Sequence, residues 1–170
     1  QIAQLLRQHK PRHVIYDPVI VSSQNEMLMA QEVVHEVRRS LLPLCSLVLM
    51  KRADAERLTQ TAINTAADLN QAVKSLLAEG CQSVLLQGSH MAPQSLTDVF
   101  ATAKDSEPTF LPSLFGEGEV GTRHGLSGSL SAAIATFVNG GNAIFEAVVN
   151  ARNYIAQLQP QHTGIIGRSG

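Results

Sequence analysis

The residues best placed to do chemistry lie in the stretch 123–134, Arg-His-Gly-Leu-Ser-Gly-Ser-Leu-Ser-Ala-Ala-Ile, where small side chains immediately precede a run of helical periodicity. The first turn of a helix presents N–H groups that have no acceptor within the helix, together with the positive end of the helix dipole. Glycine lets a phosphate approach that backbone closely. Gly125, Leu126, Ser127 and Gly128 are therefore candidate donors to an anion. The same small residues also serve tight packing of a helix on a sheet, and the sequence alone leaves both readings open. A P-loop is excluded, because no Lys follows the glycines.

Other reactive side chains are sparse. The six His are scattered without ligand spacing, so a zinc site is not expected, and His90 and His124 read as hydrogen-bonded loop residues. Cys45 and Cys81 read as buried thiols rather than a disulfide. Asp17 precedes Pro18, where it either orients a metal-bound water or caps the turn. A formal net charge of −1 offers no basic excess for nucleic acid or an anionic membrane. With 44% hydrophobic residues, a mean hydropathy of +0.03 and no long apolar run, the chain reads as a cytoplasmic globular protein, neither disordered nor membrane-spanning.

The elements that must position these residues follow from periodicity. Ile2, Leu5 and Leu6 share one helical face before Lys10-Pro11. An apolar strand is expected over 13–21, with Pro18 ending regular pairing. Val33, Val34, Val37 and Leu41 mark a helix that stops at Pro43. A strand follows over 46–50, then a polar turn at Lys51 and Arg52 feeding a helical segment that reaches Leu58. Asp68 is expected to cap a helix with the stripe Leu69, Ala72, Val73, Leu76 and Leu77, closed by Gly80. The next strand covers 83–87. This alternation predicts an α/β fold on a mostly parallel sheet. Beyond it, 96–100 and 109–115 read as antiparallel edge strands. Leu130, Ile134 and Phe137 mark a helix that breaks at Asn139-Gly140-Gly141, and Ile144, Val148, Ala151, Ile155 and Leu158 mark a last one before Pro160. One domain over 1–160 and a flexible tail over 161–170 are expected.

Four blocks in order carry a resemblance. Asp17-Pro18-Val19-Ile20-Val21, Arg38-Arg39-Ser40-Leu41-Leu42-Pro43-Leu44, Val84-Leu85-Leu86-Gln87-Gly88-Ser89-His90, and His124-Gly125 with Ser129-Leu130-Ser131-Ala132-Ala133-Ile134-Ala135 are similar to D-P-V-M-V, R-x-x-L-L-P-L, V-L-V-K-G-G-H and T-H-G-T-G-C-T-L-S-A-A-I-A. These belong to the hydroxymethylpyrimidine/phosphomethylpyrimidine kinases of the ribokinase-like superfamily, which also holds pyridoxal kinases. The resemblance implies a three-layer α/β/α sandwich and ATP with Mg at the carboxyl ends of the strands. It also implies an anion hole at Gly125, Leu126, Ser127 and Gly128, and transfer to an aminopyrimidine acceptor near Asp17 and Val19 in thiamine biosynthesis. Lys51, Asp54, Gln87 and Gly88 would lie near the nucleotide or Mg, with no dedicated protein site for the metal.

The departures bear on activity. The resembled proton-accepting Cys falls on Gly128, which has no side chain, and an unactivated hydroxyl at Ser127 or Ser129 is a weak base. Gln87 stands where the resembled strand has Lys, Lys51 where T-P-N-x-x-E has Asn, and Asp54 where it has Glu. The resembled kinases also carry an N-terminal block with a glycine-rich strand-turn and much of the acceptor pocket, which this sequence lacks. Three readings follow: a divergent pyrimidine kinase, a non-catalytic ligand-binding module of the same fold, and a pyridoxal kinase-like enzyme. An exposed sheet edge, self-association or association with a missing N-terminal part is expected in each.

Overall fold

The computed structural model describes residues 1–22, 24–87, 97–105, 107–112, 114 and 126–158. In chain order the elements are α1 (Ile2–His9), β1 (Ile15–Tyr16), α2 (Gln31–Glu36), β2 (Leu47–Lys51), α3 (Arg52–Thr59), α4 (Ala66–Ala78), β3 (Ser83–Gln87), β4 (Thr97–Thr102), β5 (Thr109–Pro112), α5 (Leu126–Asn139) and α6 (Ile144–Leu158). The sheet runs β1-β2-β3-β4-β5. Its first two pairings are parallel and its last two antiparallel, the senses read from the sequence, but of β4 and β5 only β5 is an edge strand: β4 pairs on both sides, with β3 and with β5, and is interior rather than an edge.

Strand alternation divides the core into two layers of helices around the sheet. Val48, Met50, Val84 and Leu86 pack with Leu58 of α3, Leu69, Val73 and Leu76 of α4, and Val34 of α2. Leu47, Leu49, Leu85 and Phe100 pack with Leu130, Ile134 and Val138 of α5 and with Val148, Ala151 and Ile155 of α6. Both faces of β2 and β3 are covered, which is why the two strands read as continuous apolar runs rather than as alternation.

Several boundaries differ from the sequence reading for local reasons. The first strand pairs only at Ile15 and Tyr16, not over 13–21. Pro18 has no N–H to offer a ladder, and the N–H groups of Ile20 and Val21 donate to the Asp54 carboxylate instead. The Val33-to-Leu41 helix keeps α-geometry only to Glu36; a wider turn over Val37–Leu41 and a tighter one over Leu42–Leu44 carry the chain into β2. Lys51 closes β2 and Arg52 opens α3 directly, with no polar turn between them. The cap of α4 is Thr65 rather than Asp68. The Thr65 hydroxyl accepts from the Asp68 N–H at 3.2 Å while Asp68 accepts from the Thr65 N–H at 2.9 Å, a reciprocal capping box. Gly80, at φ 103°, turns α4 into β3 in a conformation that a side chain would strain.

Candidate functional site at the carboxyl edge of the sheet

Because β1, β2 and β3 are parallel, their carboxyl ends share one edge of the sheet. Lys51 and Gln87 are the last residues of β2 and β3 and are register partners. They continue the alternation of Leu49 and Leu85, so both belong to the face covered by α5 and α6. Lys51 is exposed, whereas Gln87 is buried at 1% exposure and its Nε2 has no hydrogen-bond partner.

The direction of α5 follows from its neighbour. On α6, Phe145 meets Phe100 in the middle of β4, with ring centroids 5.1 Å apart. Two turns further along, the Arg152 guanidinium pairs with Asp98 near the start of β4 and donates to the carbonyl of Pro112 at the end of β5. Both of those positions lie at the carboxyl edge of β3, so α6 runs toward that edge. A short turn containing Gly140 and Gly141 joins α5 to α6 and makes them antiparallel neighbours. The start of α5 therefore lies at the same edge, and on the same face, as Lys51 and Gln87.

At that start, Leu126, Ser127 and Gly128 occupy the first helical turn, whose N–H groups have no acceptor within the helix. Gly128 is exposed, and a Cβ added there would meet nothing within 4 Å. Gly125, Gly88, His90 and His124 lie outside the described residues.

Asp54 occupies the other side of the edge. It is 4% exposed, and its Oδ1 accepts from the N–H of Ile20 at 2.8 Å and of Val21 at 3.1 Å. Burial raises its pKa above the ordinary carboxylate value, while the two N–H groups and the nearby Lys51 charge oppose the rise and Asp17 adds to it. Asp17 is half-buried and close enough to lift Tyr16 as well, after burial, Cys45 and Asp54. Asp17, Asp54 and Lys51 are thus electrostatic neighbours, and Asp54 holds the segment after β1 in place. Val19, in that segment, is exposed at 58%. Arg52 donates to the carbonyl of Ile63 at 3.3 Å.

Sequence reasoning missed the pairing of Asp98 with Arg152. The signal was available: Arg152 follows Ala151 on the apolar stripe of α6, and an Arg on a buried stripe requires a partner.

The donor set fits a nucleoside triphosphate with its Mg. Lys51, the orphaned Gln87 amide and the start of α5 all offer positive charge or N–H to an anion. Among the described residues no cluster of three His, Cys, Asp or Glu could cage a metal. Mg held mainly by phosphates and water needs no such cage.

Helices on both faces of this sheet define a three-layer α/β fold of the ribokinase-like class. The sequence profile of the phosphomethylpyrimidine kinases matches residues 1–167. The chain belongs to the phosphomethylpyrimidine kinase family. A hydroxymethylpyrimidine/phosphomethylpyrimidine kinase of Rhizobium meliloti is 32% identical over 155 residues, which cover 91% of this chain and 56% of that protein. The crystal structure of phosphomethylpyrimidine kinase from Clostridium difficile 630 superposes with a TM-score of 0.76 at 24% identity, over 92% of this chain and 61% of that one. A pyridoxal kinase of Bacillus subtilis, solved as an ADP complex, superposes with a TM-score of 0.75 at 24% identity, over 90% and 57%. The chain thus spans less than two thirds of the length of these relatives. No helix among the described residues is long and apolar enough to cross a membrane.

Proposed function

We propose that this chain carries the nucleotide site of an ATP-dependent kinase acting on a hydroxymethylpyrimidine or its monophosphate. The observation that carries the reading is the convergence of Lys51, Gln87 and the first turn of α5 on one face of the carboxyl edge. Phosphoryl transfer depends mainly on positioning and on neutralising the charge of the transferred group. Bound ATP supplies the phosphoryl group, and its Mg neutralises phosphate oxygens. The residues of this chain do the rest. Lys51 places a positive charge at the strand end, and Leu126, Ser127 and Gly128 direct backbone N–H groups to the phosphoryl oxygens. Asp54 fixes the segment carrying Asp17 and Val19, which lies toward the acceptor.

Gly128 favours a second reading, a module that binds nucleotide without turning over, because the position offers no group to take the acceptor proton. ADP release from ATP, Mg and hydroxymethylpyrimidine, measured for the full-length protein and for Gly128→Cys, separates the two. The open space around Gly128 admits the new side chain without repacking. Comparable turnover in both proteins supports the kinase, and turnover confined to the variant supports the module. Absence of ATP binding in either would overturn both readings.

A further inference from the structure

Cys45 and Cys81 take no part in the anion site, and the sheet register brings them together. β2 and β3 pair in parallel from Val48 with Val84 to Lys51 with Gln87. Cys45 stands three positions before Val48 and Cys81 three before Val84, so the same register carried back makes them partners. The hydrogen bonding reaches that far, since the N–H of Gln82 donates to the carbonyl of Cys45 at 3.1 Å. Partners on adjacent strands lie about 4.8 Å apart, inside the range of about 4.4–6.8 Å between α-carbons that a disulfide spans. Both side chains are buried in one core layer, and after burial it is the charge of Cys81 that raises Cys45. We infer that Cys45 and Cys81 form a cross-strand dithiol, a site for thiol–disulfide exchange with a small molecular disulfide, whose product is a bridge between the amino ends of β2 and β3.

The exchange has two steps. One cysteine, as thiolate, attacks a sulfur of the small disulfide, whose S–S bond breaks and releases a first small thiol. The other cysteine then attacks the protein sulfur of this mixed disulfide; the Cys45–Cys81 bond forms and a second small thiol leaves. The two cysteine protons end on the two small thiols, and the small disulfide takes up the two electrons that the pair loses. Burial pushes Cys45 up to about 12 and Cys81 up to about 11, so neither ionises readily in the closed fold and exchange waits for opening. The finished bridge closes a loop that contains α3 and α4, and opening of this crossover unit is the motion it opposes. It does so at the amino edge, away from Gln87 at the carboxyl end of β3.

Full-length protein brought to equilibrium in glutathione redox buffers, from the reduced and from the oxidised side, tests the pair. Peptide mass mapping should find Cys45 linked to Cys81. The squared concentration of reduced glutathione over that of the oxidised form, at half conversion of this linked peptide, gives an effective concentration for the pair. It should be at least about a hundredfold higher in native buffer than in urea, because the register presents the two sulfurs to each other. The bridged protein should melt about 10 °C above the reduced one. In Cys81→Ala, Cys45 should stop at the glutathione adduct, which the parent does not accumulate. An effective concentration no higher in native buffer than in urea overturns the inference. So does a bridged form that melts below the reduced one, or a parent that accumulates glutathione adducts on both cysteines. These three outcomes are read on the parent protein and decide the matter even where Cys81→Ala does not fold.

Discussion

Asp54 shows how one carboxylate can hold a backbone segment of a candidate site in place. Its Oδ1 takes two backbone N–H groups from the segment after β1, where a short strand broken by Pro18 offers no ladder to hold them. Replacing it by Ala leaves both N–H groups without an acceptor, and urea unfolding should show a loss of about 3 kcal/mol. Its titration adds a pH signature. Burial is the largest influence and raises its pKa above 3.8 in the folded protein. Between that value and the raised one the folded state binds more protons than the unfolded, so stability falls as pH rises through this window. Asp54→Asn keeps an acceptor oxygen and should flatten that fall, and an unchanged pH slope in the variant would sink the assignment. The carboxylate itself was visible in the sequence, but its use was not. Nothing in the spacing between Ile20 and Asp54 says that the N–H groups of a backbone segment would claim Oδ1.

At the scale of elements, the pair Asp98–Arg152 does for β4, β5 and α6 what Asp54 does for β1. Asp98 is fully buried, and the Arg152 guanidinium bridges it to the Pro112 carbonyl, joining the last helix to both antiparallel strands. Arg152→Met should cost about 3–5 kcal/mol by urea unfolding, because the buried carboxylate loses its guanidinium partner, and adding Asp98→Leu should recover most of it. Loss on the single change with no recovery on the double would mean that packing of the Arg stem, not charge, sets the cost. The helices were the legible part of the fold. Helical spacing gave α6 to its last residue before Pro160, and the Leu69-to-Leu77 stripe placed α4. What the pattern misjudged was the capping and pairing of short pieces. Thr65 and Asp68 each look like a cap, and only their reciprocal hydrogen bonds distinguish N-cap from third residue. Substituting Thr65 by Ala should accordingly cost about 1 kcal/mol.

For the whole molecule, the sheet puts the buried thiols and the candidate site at opposite edges. Cys45 and Cys81 precede β2 and β3, at the amino edge, and both thiols are buried and free. Each sulfur donates to a carbonyl at the end of the preceding helical segment, Cys45 to Leu41 at 3.3 Å and Cys81 to Leu76 at 3.2 Å. Burial pushes Cys45 up to about 12 and Cys81 up to about 11. The thiolate is the reactive form, so a disulfide reagent near neutral pH finds almost none of it in the folded protein and must wait for opening. Because both thiols lie in one continuous core with α3 and α4, that opening is expected to be global. Labelling of the two cysteines should then proceed at one common slow rate and rise in step with urea. On the proposed reading ATP with Mg would bind at the far edge, away from both sulfurs, and should slow both by the same factor, growing with ligand concentration over Kd. Fast labelling of one cysteine without denaturant would show that the crossover layer opens on its own. Protection of one thiol alone would show that nucleotide binding steadies only part of the fold.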